Sequence, residues 1–205
     1  VEELMVHSVD NWPQTGSRRR CVRRAIVVAN CELPGTLHVG LTGVLPRQTL
    51  LLLSNVTAAG GVTFYDTTLE PGSALIVASS VFFGTGLNFV NVAARGAAIA
   101  VVDVAVNATS RIVMPPHSSS LTSDWTGALT FQRSRLSQGT YVSIVRCALA
   151  SHFVEGDGGA RGAAALSFLA NSRVDMSMVS VRDTIVVAVA LQGTLKSSLA
   201  ASLAD

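Results

Sequence analysis

Apolar side chains along this chain come in short bursts. Within a burst they alternate with a spacing of two, and the bursts recur about every two dozen residues. The first burst of each unit has the form Ala/Thr–Leu/Ile–x–apolar. It is written six times: Ala25-Ile26-Val27-Val28, Thr49-Leu50-Leu51-Leu52, Ala74-Leu75-Ile76-Val77, Ala98-Ile99-Ala100-Val101, Ala128-Leu129-Thr130-Phe131 and Ala165-Leu166-Ser167-Phe168. Successive starts lie 24, 25, 24, 30 and 37 residues apart. Self-similarity at such a period marks a stacked-repeat architecture.

A second apolar pair follows each start by about twelve residues: Leu37/Val39, Val62/Phe64, Leu87/Phe89, Ile112/Met114, Val142/Ile144 and Met176/Met178. Spacing of two is strand periodicity, with alternate side chains on one face. Between the pairs, offset six carries Cys31, Asn55, Ser80, Val104, Ser134 and Asn171, residues suited to a tight inward bend. A second polar corner near offset seventeen or eighteen holds Asp66, Asn91, Arg146 and Asp183. Each unit therefore reads as strand, corner, strand, corner. The expected fold is all-β: a single-stranded, right-handed parallel β-helix of about six coils, with the six starting phrases above one another in one dry column.

Energetics favour stacking over independent units. One unit buries about five or six apolar side chains at ~1.5–3 kcal/mol each. Ordering its backbone costs roughly 1–2 kcal/mol per residue over some two dozen residues. Neighbouring coils must supply the missing burial and the ladder hydrogen bonds.

Three regions are expected. Residues 1–24 lie outside the repeat, 25–190 form the β-helix, and 191–205 form a frayed tail. In the tail, Leu191, Leu195, Leu199 and Leu203 fit either a short helix or the start of another coil. The period slips twice inside the solenoid. One insertion begins at Pro115-Pro116-His117 before Ala128, and another spans Glu155–Gly162 before Ala165. Insertions in solenoids project as loops, often on the binding face, so 115–127 and 155–164 are the expected recognition loops.

Composition narrows the function classes. Net charge is +2, which gives no footprint for nucleic acid. The chain begins with Val1, shows no secretory leader and no apolar run near the ~18–20 residues that span a bilayer. These features read as a piece of a larger protein. Arg18, Arg19, Arg20, Arg23 and Arg24 cluster before the first coil and are candidates for polyanion contact, for example with sulfated glycan. Asn55-Val56-Thr57 and Asn107-Ala108-Thr109 are glycosylation sequons. Asn55 falls in the inward ladder, which leaves Asn107 as the better acceptor. Cys21, Cys31 and Cys147 show no metal-ligand spacing; three is odd, so one at least has no partner within the chain, and their pairing stays open.

Catalytic signatures are lacking. There is no Gly-x-Ser-x-Gly elbow, no phosphate loop and no His pairing at metal spacing, so no catalytic, cofactor or metal residue is assigned. Carbohydrate-active β-helix enzymes need clustered carboxylates along one strip. Asp66 and Asp183 share the expected corner but stand several coils apart, and Asp103 is expected to face solvent.

The phrases Val27-Val28-Ala29-Asn30-Cys31-Glu32-Leu33, Leu51-Leu52-Leu53-Ser54-Asn55-Val56-Thr57 and Leu69-Glu70-Pro71-Gly72-Ser73-Ala74-Leu75 resemble those of the dispersed gene family surface proteins of trypanosomes. So does the Ala/Gly/Ser/Val-rich composition, over roughly residues 25–190. The resemblance implies parallel β-helix repeats in a very large protein held at the cell surface through hydrophobic segments elsewhere. It implies no catalytic residues. The function expected is a non-catalytic, membrane-associated surface segment contacting a host matrix protein or glycan. A fragment of a polysaccharide lyase or hydrolase is the alternative. Open coil ends are expected to self-associate.

Overall fold

The computed structural model describes residues 24–109, 125–154, 162–169 and 172–191. Among these the chain is all-β with no helix, and every strand pairing is parallel. The strands fall into six successive layers. Layer one holds β1 (Arg24–Leu33) and β2 (Leu37–Leu45), and layer two holds β3 (Thr49–Ala58) and β4 (Val62–Leu69). Layer three is divided into β5 (Ala74–Ala78), β6 (Val81–Phe82), β7 (Leu87–Val90) and β8 (Ala93–Arg95). Layer four has β9 (Ala98–Val102), β10 (Ala105–Ala108), β11 (Trp125–Gln132) and β12 (Arg135–Ser137). Layer five has β13 (Tyr141–Val145), β14 (Ala148–Val154), β15 (Gly162–Leu169) and β16 (Arg173–Val174). Layer six holds β17 (Met178–Arg182) and β18 (Ile185–Leu191).

Each full layer makes a circuit of four sides, a to d, bent between a and b and between c and d. Sides a and b of all layers form a ten-stranded sheet, and sides c and d form an eight-stranded one. The pattern is consistent with a parallel β-solenoid.

Register shows what the repeat does. On side a, Ala25 pairs with Leu50, Leu50 with Ala74, Ala74 with Ala98, Ala98 with Tyr141, and Tyr141 with Met178. Ile26, Leu51, Leu75, Ile99, Val142 and Val179 thus share one inward column, and the middle four have zero exposure. On side c, Phe64, Phe89, Phe131 and Phe168 are in register. Their rings stack at 5.2, 4.7 and 4.9 Å, with interplanar angles of 10°, 9° and 7°. Parallel in-register strands place like residues one strand spacing apart, ~4.8 Å, so stacked rings follow from the register itself.

The expected single column of six phrases is corrected here. The first four phrases lie on side a, but Ala128-Leu129-Thr130-Phe131 and Ala165-Leu166-Ser167-Phe168 lie on side c, where Leu129 pairs with Leu87 and with Leu166. Side a is continued instead by Val142/Ile144 and by Val179/Val181. The cause is the first insertion. It enters between sides b and c, so the count from Ala98 reaches side c at Ala128 and not the next side a. The a-side step is 25, 24, 24, 43 and 37 residues.

Both insertions leave the same edge. In layer three the b–c turn is Phe83-Gly84-Thr85-Gly86. Gly84 has φ 55°, and a Cβ there would sit 2.8 Å from the Gly60 carbonyl oxygen of the layer before, so only glycine fits. Layers four and five carry residues 110–124 and 155–161 at this position, which lie outside the described residues. The paired flanks β10/β14 and β11/β15 place the two departures side by side. Residues 1–23 and 192–205, including the tail leucines beyond Leu191, also lie outside the described residues.

Candidate functional site: a charged corner ladder

The bend from side a to side b needs a residue with positive φ. It is Asn30 (55°), Asn55 (54°), Ser79 (48°), Asp103 (55°), Arg146 (52°) and Asp183 (49°) in the six layers. The c–d bend uses Asp66 (50°), Asn91 (54°) and Arg133 (51°) in the same way. Asn and Asp tolerate this left-handed conformation because the short polar side chain bonds locally. Arginine lacks that advantage, so Arg133 and Arg146 sit there against local preference.

Where the residue after a corner is Ser, Thr or Cys, its side chain ties neighbouring layers together. Ser80 Oγ donates to the Ala78 carbonyl at 2.7 Å and accepts the Val56 N–H at 3.1 Å. Ser134 Oγ donates to Gln132 O at 3.1 Å and accepts the Val92 N–H at 3.2 Å. Thr184 Oγ1 donates to Arg182 O at 2.8 Å and accepts from Cys147 N at 3.4 Å. Cys147 takes the same place in layer five, its thiol donating to Val145 O at 3.3 Å. Burial pushes the Cys147 thiol up from its ordinary pKa, so it is a poor nucleophile.

Corner side chains themselves point out and stack along the ladder. Asn55 Nδ2 donates to Asn30 Oδ1 at 2.9 Å, and Asn91 Nδ2 to Asp66 Oδ1 at 2.7 Å. Layers four to six replace amides with charges. Arg146 Nε and Nη2 donate to Asp103 Oδ1 and Oδ2 at 2.7 and 2.8 Å, a bidentate pair, and Asp183 follows in the next layer. The Arg146 hydrogen bonds hold the Asp103 carboxyl below its usual pKa and, reciprocally, raise that of the guanidinium. Beside this Asp–Arg–Asp strip runs a shallow groove of about 360 Å³, walled by Val104, Ala105, Cys147, Ala148 and Ile185.

Several sequence expectations change place. Arg146 and Asp183 belong to the a–b corner with Asp103, not with Asp66 and Asn91, for the same phase reason as above. Asp103 faces solvent as expected. Asn55 is not inward: it is exposed at the corner, and Val56 holds the inward place. Asn107 is exposed on β10. Of the arginine cluster only Arg24 is described, exposed at the start of β1; Arg18, Arg19, Arg20 and Arg23 lie outside the described residues. The charged strip was missed, although Val102-Asp103-Val104-Ala105, Val145-Arg146-Cys147-Ala148 and Arg182-Asp183-Thr184-Ile185 are in register and share a polar–small–apolar rhythm.

The strip presents an Asp–Arg ion pair followed by a second aspartate. Asp103 and Asp183 stand two layers apart, roughly 10 Å at ~4.8 Å per layer. That is close to the ~6.5–9.5 Å separation of inverting glycosidases. Yet Arg146 occupies the interval and keeps Asp103 ionised, the wrong state for a general acid. Among the described residues no group of three His, Cys, Asp or Glu is placed to hold a metal ion, and no helix is long and apolar enough to cross a membrane. No family model, curated protein or solved structure matches the chain.

Proposed function

We propose that the chain is a non-catalytic stretch of right-handed, single-stranded parallel β-helix belonging to a large, membrane-associated cell-surface protein, where it contacts a host matrix protein or glycan. The right hand is the one that crossover connections between parallel strands adopt in nearly all proteins. The surface role rests on the likeness of residues 25–190 to the trypanosome dispersed gene family. One structural observation carries the contact role. The repeat is interrupted only at 110–124 and 155–161 between described strands, and both interruptions leave one edge of adjacent layers. Among the described residues the other strands are joined by short connections, so this edge carries the long ones, where binding residues of solenoids often sit.

The test is binding of the full chain to arrayed glycans and immobilised matrix proteins, beside a variant in which both segments are replaced by the Phe83–Gly86 turn sequence. Binding by the full chain that the variant loses supports the reading. Equal binding by both, or none by either, overturns it. Arg18, Arg19, Arg20, Arg23 and Arg24 are proposed as a separate polyanion contact. Changing all five to serine is expected to abolish salt-sensitive retention on heparin; unchanged retention would remove that contact from the account.

A polysaccharide-active enzyme is the second reading, favoured by one observation, the two-layer separation of Asp103 and Asp183 along a groove. Release of reducing ends or unsaturated products from an acidic polysaccharide, lost in Asp183→Asn, would establish it in place of the first.

A further inference from the structure

The outside of side a is unlike a solvent-facing strand surface. Leu51, Leu53, Leu75, Val77, Ile99 and Val101 point inward at zero exposure, so their neighbours point out. Three outward positions per strand over six strands make eighteen, and all are apolar except Ser54, Ser143, Ser180 and Arg182. The outward positions are half-buried or exposed throughout, and among the described residues no strand packs over them. Side c differs: Thr63, Asn88 and Thr130, opposite the phenylalanine ladder, have zero exposure. Parallel sheets are ordinarily covered on both faces, and a contiguous apolar patch of several hundred Å² marks an interaction surface.

The relief of this face is uneven in a useful way. Leu52 and Ile76 stand next to each other in register, forming a ridge over layers two and three. Ala100 continues that row in layer four, with Ala98 beside it, and the two small side chains form a furrow. A two-fold axis parallel to the strands, between layers three and four, lays the Ile76 ridge of one copy over the Ala100 furrow of the other. Isologous pairing needs such self-complementarity, and a face with almost no charge has no like-charge conflict with its own copy.

We propose that side a is a homodimer interface, two copies packing sheet against sheet with the ridge seated in the furrow. Six strands at ~4.8 Å and five residues at ~3.3 Å give a face of roughly 29 by 16 Å, or about 470 Å² per copy. The pair buries about 900–1,000 Å², at the lower edge of specific interfaces, so the dimer is weak and forms with concentration.

Sedimentation velocity on the full chain from roughly 10 to 500 μM reads this directly. A monomer-to-dimer shift is expected over that range. Ile76→Arg and, separately, Leu52→Lys place a charge in the contact and should weaken association at least about tenfold, with unchanged far-UV circular dichroism. Ala100→Phe adds apolar surface but fills the furrow, so it too should weaken the dimer. A chain that stays monomeric throughout overturns the proposal. So does association that Ile76→Arg and Leu52→Lys leave intact, which would move the contact to the open ends of the stack. Tighter association in Ala100→Phe would reduce the face to unspecific adhesion and also overturn it. None of these outcomes bears on glycan or matrix binding.

Discussion

Truncating Phe89 to alanine tests how the layers are held. Phe89 has zero exposure and stacks on Phe64 at 5.2 Å and on Phe131 at 4.7 Å. Buried Phe→Ala changes cost ~3–5 kcal/mol. The upper part of that range applies here, because two ring contacts worth about 0.5–1.5 kcal/mol each are lost together. The flanking rings cannot close the gap, since the ladder hydrogen bonds fix the strand spacing. Phe168 stands at the other extreme. It has a ring neighbour on one side, Phe131 at 4.9 Å, and 38% of it is exposed. Its truncation should therefore cost about half as much, ~1.5–2.5 kcal/mol. Urea unfolding followed by circular dichroism reads the difference. With a slope of about 1–3 kcal/mol per molar, Phe89→Ala lowers the midpoint by more than about 1 M, and Phe168→Ala by clearly less. Equal shifts for the two variants, or a Phe89→Ala cost below about 1.5 kcal/mol, would refute the continuous stack.

Further outcomes are expected at Gly84, Cys147 and Asp103. Gly84→Ala should destabilise by about 2 kcal/mol or more, because the new Cβ meets the Gly60 carbonyl at 2.8 Å with φ at 55°, whereas Gly35→Ala, with nothing within 4 Å, should cost less than about 1 kcal/mol; thermal unfolding compares them. Cys147→Ser keeps a donor where other layers use Ser80 or Thr184 and should be tolerated within about 1.5 kcal/mol. In the native wild type, Cys147 should alkylate far more slowly at mildly alkaline pH than after denaturation, since burial raises its thiol; equal rates would contradict that burial. The Asp103 carboxyl should titrate below the ordinary aspartate range and return toward it in Arg146→Gln, read by NMR. As a depressed carboxylate, Asp103 contributes stability that is present above the unfolded-state aspartate pKa. That contribution fades as pH falls through the folded value, and added salt should shrink it.

Period-two bursts at a fixed repeat were enough to read parallel strands, the layered stack and the inward pairs Leu75/Val77 and Leu87/Phe89, whereas the Thr49 phrase points to Leu50/Leu52 and the structure turns Leu51/Leu53 inward. Phase after the first insertion was not readable. An Ala-Leu-x-Phe phrase suits side a and side c equally, and its spacing says nothing about how much intervening chain belongs to a loop. Two consequences followed: Ala128 and Ala165 were assigned to the wrong column, and Arg146 was separated from Asp103. The corner conformation was hinted at by Asn30, Asn55 and Asn91, residues that accept left-handed backbone, but Arg133 and Arg146 carry no such signal. Asn55 looked inward because one residue of register decides the face of a side chain, and Thr49 pairs with Arg24, not with Ala25. The bare apolar outside of side a was written in runs such as Ala98–Val102, whose two faces no alternation distinguishes.

The layer register across the insertion is the claim on which the charged ladder, the single loop edge and the dimer face all stand. Paired spin labels at Ala100 and Ser143, in a background with the three cysteines replaced, measure it most directly. These outward positions are register partners on β9 and β13, so their backbones lie one strand spacing apart, ~4.8 Å. Strong dipolar broadening, absent from either singly labelled chain at concentrations below dimer formation, is the predicted result. Spectra of the doubly labelled chain equal to the sum of the single ones would contradict the register, and with it the stack.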